Sequence, residues 1–542
     1  MNIKNFIKRA LAAVIAAGAA LCTAGCRNDD GSGYIFKYTI TANPGTLDPQ
    51  IANDPNAEVI ICNVYLGLLT ANADGSLSAG AAEDYDVTDD GLVYTFRLRQ
   101  DIYWYGSDSF ERQCTAADFV NGFRRLFLPE TKAPRAEEYY CIKNAKPINI
   151  GAVSDASVLG VKALGDFLLE ITLEQPDPRF PQLLTEAPAM PCNEEFFLRS
   201  QGRYGLTAEC TPSNGAFYVK SWTYSKYSIT DTNNLILRRN AKNSTARQVF
   251  PSGLNFFIED DDSAVSDFLA GTTSCIAVTD EQTKLINGDY PRQEFADITT
   301  GLIFNKNYSP FASKEFRMAL ALLAEREKIA QTLGSFTAAQ AIVPAQVSML
   351  DKSYRELADV SAPSYNADRA QALYKQALPS LDKDLFEGAR IIVRDESAAQ
   401  AVSWLMQEWQ REFGFYCVVE TLSDADYRAR LLSGDFEAAV IDLSGGYNSP
   451  EAYLEAFSRK NTANYGGFAD PQFEALLNSA QTALDLADSA ELYAQAEQLL
   501  LDSAAFVPLY YKNEYFYTAK DCMDIIYNPF TKRVDFSQAK KF

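Results

Sequence analysis

Residues 92–99, LVYTFRLR, follow an Asp90-Gly91 turn and carry apolar side chains at every second position. Four side chains share one face in this pattern: Leu92, Tyr94, Phe96 and Leu98. A period of two residues predicts a half-buried β-strand that covers a core on one side. The fold therefore includes a β-sheet with one buried face, and other segments of the chain must supply the residues that pack on that face.

Further strands and helices alternate with this one. The stretches NGAFYVKSW (214–222) and NLILRRN (234–240) predict two more strands, and residues 314–333 predict a helix capped by Ser313. A second helix is centred on residues 402–413 and ends at Gly414, and a third carries apolar residues from Leu492 to Leu500. The N-terminal half is richer in strands, whereas residues 302–504 are richer in helices. This division predicts an α/β protein with at least two lobes.

The N-terminus predicts export. Three basic residues, Lys4, Lys8 and Arg9, precede an apolar run over residues 10–21, and small residues lead to Cys26. The run is shorter than the roughly 20 residues of a membrane-spanning helix, so we interpret residues 1–25 as a signal peptide. Small residues before a cysteine resemble the bacterial lipobox, which predicts lipidation of Cys26 and a tether over residues 26–33. A plain secretory signal with an incidental cysteine is the alternative.

Charge and histidine content exclude several functions. Removing residues 1–25 changes the net charge from −22 to −25, which argues against a nucleic-acid partner. The chain has no histidine, so it contains neither a Ser-His-Asp or Cys-His site nor a histidine-ligated metal. We expect no enzymatic activity, no metal site and no cofactor.

Eight cysteines remain between Cys62 and Cys522, without a C-x-x-C pair. An exported chain permits disulfides, and Cys192 with Cys210 is the nearest candidate pair. Buried free thiols are the alternative.

Several segments together resemble one family. The motifs are PGTLDP (44–49), NVYLGLLTANADGSL (63–77), YTFRLRQDIYW with CTAADFV (94–120), LGVKALGDFLLEITL (159–173), NGAFYVKSW, FNKNYSPFASKEFRMALALLAERE (304–327), YNADRAQALY (365–374), LLSGDFEAAV (431–440) and YAQAEQLLLDSAAFVPLYY (493–511). In this order they resemble the signature regions of solute-binding protein family 5. That family comprises the oligopeptide- and dipeptide-binding lipoproteins of ABC importers, and the resemblance covers nearly the whole mature chain.

The resemblance implies an α/β fold, a two-lobed periplasmic-binding-protein flytrap of type II, cluster C, with an extra inserted domain. Domain I would comprise residues 34–62, 174–302 and 506–542. Domain II would comprise residues 63–173, and domain III, the second lobe, residues 303–505. A ligand enclosed between the lobes would contact both faces and so shift the open–closed equilibrium.

The segment LSGGYNSP (443–450) matches a region that lines the cleft in peptide-binding members. There it usually reads Trp, any residue, Ala, Asp, Tyr, Asn or Asp, any residue, Pro, and its Asp pairs with the α-ammonium group of the ligand. Here Tyr447, Asn448 and Pro450 match, whereas Leu443 replaces the Trp and Gly446 replaces the Asp. We expect a cleft wall in which Gly445 and Gly446 let backbone approach the ligand closely. An ordinary strand-to-helix turn is the alternative.

A buried ammonium group needs a carboxylate partner, so the loss of this Asp leaves three explanations open. The anchor has moved, with Asp442, Asp424 and Asp54 as candidates; or the ligand has no free amine, as in a blocked peptide or an oligosaccharide; or the alignment shifts locally by a residue or two. Asn53 and Asp54 also lie in a segment that resembles the family's ligand-facing strand, for which a plain loop is the alternative.

The resemblance therefore predicts a monomeric lipoprotein on the outer face of the cytoplasmic membrane, held there only by its N-terminal lipid. It would capture peptides, in particular oligopeptides, and deliver them to ABC permease subunits. Two alternatives stay open: the same fold binding a non-peptide solute, and a surface sensor or adhesin.

Overall fold

The computed structural model describes residues 33–72, 76–106, 110–226, 233–243, 249–259, 261–334, 336–350, 352–381 and 389–542. The predicted signal peptide, Cys26 and the tether up to residue 32 lie outside these residues. Within the described ranges, no helix is both long enough and apolar enough to cross a membrane.

The first four-stranded sheet brings together distant parts of the N-terminal half. Its strands, in order, are Ile35–Ile40, Gly253–Ile258, Asn234–Arg239 and Phe217–Thr223. The first pair is parallel and the other two pairs are antiparallel. Two of these strands are the ones predicted from NGAFYVKSW and NLILRRN, and their buried side chains alternate along the strand as the sequence pattern requires.

The second four-stranded sheet contains the stretch LVYTFRLR. Its antiparallel strands, in order, are Ala82–Val87, Val93–Leu98, Leu168–Thr172 and Val161–Gly165. Tyr94, Phe96 and Leu98 are buried on one face, which confirms the predicted strand. The helix Ala116–Phe127 packs on this sheet and begins with a capping box, in which the Thr115 N–H donates to Asp118 Oδ2 at 2.8 Å.

The third large sheet is mixed and has seven strands. Its main path is Cys275–Thr279, Phe506–Thr518, Arg292–Phe304, Ala438–Ser444, Arg390–Val393 and Val418–Thr421, and the short strand Thr337–Ala338 also pairs with Phe506–Thr518. We call Arg292–Phe304 and Phe506–Thr518 the crossing strands. Each is 13 residues long, and they pair antiparallel with each other.

The crossing strands connect the two lobes. Besides a register shift between Thr300 and Gly301, their pairing is interrupted between Phe295 and Ile298. On one side of this irregularity the sheet continues to Cys275–Thr279, and on the other side to Ala438–Ser444. Irregular pairing bends a strand locally, so this point is where the chain passes from one lobe to the other.

The hydrophobic side chains separate in the same way. One large cluster holds residues from Phe36 to Ile258 together with C-terminal residues such as Phe536, and two clusters hold residues between Leu302 and Tyr510. We call the part of the molecule around the large cluster the first lobe, and the part around the other two clusters the second lobe. The predicted limits 302/303 and 505/506 fall near this division, but residues 506, 507, 509 and 510, predicted as domain I, pack in the second-lobe clusters. The three-domain limits remain a prediction.

One predicted helix is wrong in its extent. Residues 314–333 form two helices, Lys314–Ala321 and Arg326–Leu333, instead of one. The carbonyls at the end of the first helix accept hydrogen bonds from the indole N–H of Trp409 at 3.1 Å and from the backbone N–H of Asn366 at 2.9 Å. Because these partners come from elsewhere in the fold, an apolar period in the sequence does not reveal the break.

The other two predicted helices are confirmed. Glu396–Phe413 ends at Gly414, whose φ of 66° is the left-handed value that favours glycine. Leu486–Asp502 buries Tyr493, Leu500 and Leu501. Ser313 also acts as predicted, since its side chain accepts from the Phe316 N–H at 3.2 Å.

The remaining elements are mostly short. The other α-helices are Pro55–Val64, Ala145–Asn149, Phe180–Leu183, Glu194–Arg199, Asp261–Leu269, Asp280–Thr283, Ser309–Ala312, Tyr354–Leu357, Ala367–Ala377, Asp424–Ser433, Glu451–Leu454 and Pro471–Gln481. Two-stranded ribbons pair Leu69–Ala71 with Leu77–Ala79, Tyr103–Tyr105 with Glu111–Gln113, Ser348–Met349 with Lys352–Ser353, Cys522–Met523 with Lys540–Lys541, and Ile526–Asn528 with Arg533–Asp535. The eight cysteines from Cys62 to Cys522 are free thiols, including the candidate pair Cys192 and Cys210.

Candidate functional site

The segment LSGGYNSP leaves the sheet at the end of Ala438–Ser444. Leu443 is buried and pairs with Thr299 of the first crossing strand. A Cβ at Gly445 would lie 2.7 Å from the ring of Tyr453, so this position requires glycine for the close approach. A Cβ at Gly446 would meet no atom within 4 Å, so a larger side chain fits there. Packing thus requires glycine at residue 445 but not at residue 446.

Tyr447 reaches from the second lobe to the first. Its hydroxyl accepts a hydrogen bond from Arg179 Nη1 at 3.3 Å, and the guanidinium carbon lies 5.7 Å from the ring centroid. Burial, followed by the nearby carboxylate of Glu451, raises the pKa of the Tyr447 phenol well above its usual value. The hydroxyl therefore stays protonated and available as a polar contact at physiological pH.

Asn448 holds the turn against another loop of the second lobe. Its Oδ1 accepts from the backbone N–H of Ser348 at 2.8 Å, and its Nδ2 donates to Ser348 Oγ at 2.6 Å. Both ends of the amide are used within the protein. In this structure Asn448 therefore positions the segment, whereas a contact with ligand remains a prediction.

Asp442, the first candidate for a relocated amine anchor, already has cationic partners. Its carboxylate accepts from Thr300 Oγ1 at 2.6 Å and from Lys512 Nζ at 3.0 Å, and it forms an ion pair with Arg394. Lys512 also contacts Asp395 at 3.0 Å. Burial opposes the charge on Lys512, but the two carboxylates outweigh it and raise its pKa. Two cations compete with any ligand amine for Asp442, so the geometry does not favour it as an anchor.

The other two candidate carboxylates lie elsewhere. Asp54 is the N-cap of Pro55–Val64, and its Oδ1 accepts from the Ala57 N–H at 3.0 Å. Asn53, beside it, is exposed. Asp424 is an exposed residue in the first turn of Asp424–Ser433. Their proposed ligand contacts are untested predictions. Two cavities, described next, are lined by Asp442 and by Tyr447, and neither cavity is lined by Asn53, Asp54 or Asp424.

A cavity of about 650 Å³ lies between the lobes, and we call it the interlobe cavity. Its walls come from residues 137–183 of the first lobe and from residues 447–481 of the second. Tyr447 is the predicted site residue that contributes to it. A smaller cavity of about 220 Å³ lies beside Asp442 and is lined by second-lobe residues only. A site that both lobes complete is the geometry that couples ligand binding to lobe closure.

An ion pair with buried carboxylates joins the lobes at the interlobe cavity. Arg179 of the first lobe pairs with Glu451 of the second, and its other amine contacts Asp177 at 3.1 Å. Burial opposes the charge on Arg179, but Glu451 and Asp177 outweigh it and raise its pKa well above the usual value. Glu451 also accepts a hydrogen bond from the side chain of Gln481 and one from the Tyr493 hydroxyl. This arrangement is a charged contact between the lobes in which both carboxylates are buried and the guanidinium is partly exposed.

Glu455 lies one helical turn after Glu451 and differs from it in having no partner. It is half-buried and lines the interlobe cavity, but no side-chain hydrogen bond or ion pair joins it to a described residue. Burial, and next the charge of Glu451, raises the pKa of the Glu455 carboxyl from 4.5 to about 7. A cation placed in the cavity would reverse this shift because it favours the ionised form.

Sequence reasoning missed Arg179, Glu451 and Glu455. The two glutamates stand in NSPEAYLEAF at an i, i+4 spacing, which places them on the same face of a helix. That spacing was visible in the sequence. Arg179 gave no such signal, because only the tertiary fold brings it to the second lobe.

Within the described residues, no group of three or more Cys, Asp or Glu side chains is arranged to hold a metal ion.

The sequence matches one family and several characterised relatives. The family described as bacterial extracellular solute-binding proteins, family 5, matches residues 76–465. The "Probable deoxycholate-binding periplasmic protein YgiS" of Escherichia coli is 29% identical over 497 residues, covering 88% of each chain. The oligopeptide-binding protein AmiA of Streptococcus pneumoniae is 27% identical over 581 residues, covering 91% of this chain and 87% of the relative.

Solved structures share the fold. The murein tripeptide binding protein MppA in its unliganded open form superposes with a TM-score of 0.75 at 20% identity, covering 94% of this chain and 99% of that one. OppA of Listeria monocytogenes bound to peptide gives a TM-score of 0.66 at 21% identity, with the same coverage. The two-lobed α/β fold class expected from the sequence is confirmed.

Proposed function

The chain belongs to family 5 of the bacterial extracellular solute-binding proteins, and from this premise we propose that it is the receptor of an ABC importer for peptides. It captures a peptide between its lobes and presents it to permease subunits in the membrane. The resemblance to this family recognised in the sequence is confirmed. Relatives named for oligopeptide binding support the choice of peptide as the solute.

The observation that carries the proposal is the interlobe cavity. Its volume of about 650 Å³ lies within the roughly 300–1,000 Å³ typical of ligand pockets, and both lobes contribute walls to it. A ligand there contacts both lobes at once, so its binding energy favours the closed arrangement. The crossing strands, with their interruption between Phe295 and Ile298, provide the connection about which the lobes can rotate.

The N-terminal features complete the proposed receptor. We propose that residues 1–25 are removed and that lipid on Cys26 holds a monomeric protein on the outer face of the cytoplasmic membrane. A protein held there meets solutes before the permease does. No catalytic role is proposed, and neither a cofactor nor a nucleic acid is part of this function.

One observation favours a second solute class. The relative named for deoxycholate binding is about as similar to this chain as the peptide-binding relatives are, and Gly446 lacks the carboxylate that peptide binders use for the amine. A bile acid is a steroid anion with no amine. Against it, most charged side chains that line the interlobe cavity are carboxylates, which repel an anion.

Mass spectrometry of the small molecules released by denaturing the purified protein tests this proposal. A series of short peptides is the expected result. A steroid acid or a saccharide in stoichiometric amount would contradict the peptide assignment while leaving a solute-binding function. If the cleft is empty, calorimetric titration with tri-alanine and with deoxycholate decides between the two classes.

A further inference from the structure

The interlobe cavity is acidic, and half of its carboxylates are already paired with cations. Six of its lining side chains are carboxylates and two are cations. Asp177 and Glu451 pair with Arg179, and Glu138 pairs with Arg135 at 2.8 Å. These three carboxylates are therefore committed to partners within the protein.

Three lining carboxylates have no such cation. Glu137 and Glu174 are exposed, so water solvates their charge. Glu455 is half-buried, and its Coulombic interactions are therefore less screened by solvent. Lys146, the second cation of the lining, lies with its Nζ 5.8 Å from the ring centroid of Tyr140 and forms no ion pair with a described residue. Glu455 is thus the lining carboxylate that gains most from a cation supplied by a ligand.

The position of Glu455 fits a ligand amine. It shares the interlobe cavity with Tyr447, the residue next to Gly446, where peptide-binding relatives of this family would carry their carboxylate. The three carboxylates considered from the sequence are less suitable. Asp442 has two cationic partners, Asp54 caps a helix, and Asp424 is exposed.

We propose that Glu455 is the anchor of the bound solute's cationic group, which in a peptide is the α-ammonium group at its N-terminus. This inference rests on the proposed function and names the chemistry that the cavity selects. The ammonium group enters the space between the lobes and pairs with Glu455, while the Arg179–Glu451 pair stays intact. The amine anchor has moved nine positions along the chain, from residue 446 to residue 455. A lysine or arginine side chain of the peptide is a second source of the same charge.

Calorimetric titration at pH 8 with tri-alanine and with N-acetyl-tri-alanine tests the inference. Removing the charge in Glu455→Gln should weaken the binding of tri-alanine at least tenfold and change the affinity for N-acetyl-tri-alanine less than twofold. Glu455→Asp keeps a carboxylate and should retain the preference for the free amine. The matched control Glu491→Gln removes an exposed carboxylate of the same lobe and should change neither affinity. Thermal unfolding of each variant establishes that it is folded.

The other outcomes are equally informative. If Glu455→Gln binds both peptides as the wild type does, the inference is overturned. If Glu455→Gln weakens only the binding of an acetylated peptide that carries lysine, Glu455 still binds a cation, and the lysine side chain of the peptide supplies it. If the wild type binds none of these peptides, the proposed function fails. Spermidine then tests the cation site separately: loss of spermidine binding in Glu455→Gln supports the site, and unchanged or absent binding overturns it.

Discussion

Adjacent residues Gly445 and Gly446 differ in what an added side chain would meet. The close contact of residue 445 with the Tyr453 ring leaves no space for a Cβ, whereas residue 446 faces open space. We expect Gly445→Ala to lower the free energy of unfolding by about 1–3 kcal/mol because of overpacking. Gly446→Ala should change it by less than about 1 kcal/mol, with stabilisation the expected direction.

Urea unfolding of both variants measures this difference, and each variant serves as the control for the other. Equal destabilisation by the two substitutions would contradict the assignment of the close approach to residue 445 alone.

Glu455 makes the stability of the ligand-free protein depend on pH. Its folded-state pKa of about 7 lies above its usual 4.5, so the folded chain binds this proton more tightly than the unfolded chain does. The stability that this group contributes is complete below pH 4.5 and is lost as the pH rises through 7. Glu455→Gln should therefore raise the free energy of unfolding by about 2 kcal/mol at pH 8 and by less at pH 5.

Urea unfolding at the two pH values checks this, with Glu491→Gln as the control for loss of one surface charge. A difference between wild type and Glu455→Gln that is the same at pH 5 and pH 8 would show that the carboxyl does not titrate in this range.

At the scale of elements, the Arg179–Glu451 pair links the segment after Leu168–Thr172 to the short helix Glu451–Leu454. Removing the cation in Arg179→Met leaves the buried carboxylates of Asp177 and Glu451 without a cationic partner, which should cost about 3–5 kcal/mol in the free energy of unfolding. Arg97→Met is the control. The partners of Arg97 are exposed, so this substitution should leave the free energy of unfolding unchanged within error.

Denaturant unfolding at pH 7 measures both variants. A loss of stability in Arg179→Met no larger than in Arg97→Met would mean that water solvates the contact between the lobes.

Elements with a strong local pattern were predictable from the sequence. The strand Val93–Leu98 follows from a period of two, and the end of Glu396–Phe413 follows from Gly414. The break after Ala321 was not predictable, because it depends on hydrogen bonds from Trp409 and Asn366. The same limit applies to the site. The motif predicted Tyr447, which lines the interlobe cavity, whereas the contact of Arg179 with Glu451 exists only in the folded chain.

At the scale of the whole molecule, the proposed receptor must be both exported and anchored. We expect the protein produced in a bacterium with its N-terminus intact to partition into the detergent phase of Triton X-114, because a diacylated cysteine adds long apolar chains. Cys26→Ser should remain in the aqueous phase. Identical partitioning of the two proteins would contradict lipidation at Cys26.

The central claim is that a peptide binds between the lobes. Photo-cross-linking tests it most directly, with a tri-peptide that has a free N-terminus and carries a diazirine side chain, followed by mass spectrometric mapping of the labelled residues. The account predicts labels in both walls of the interlobe cavity, within residues 137–183 and within residues 447–481, that excess unlabelled tri-alanine removes. Labels confined to one lobe, or labels that competition does not remove, would contradict it.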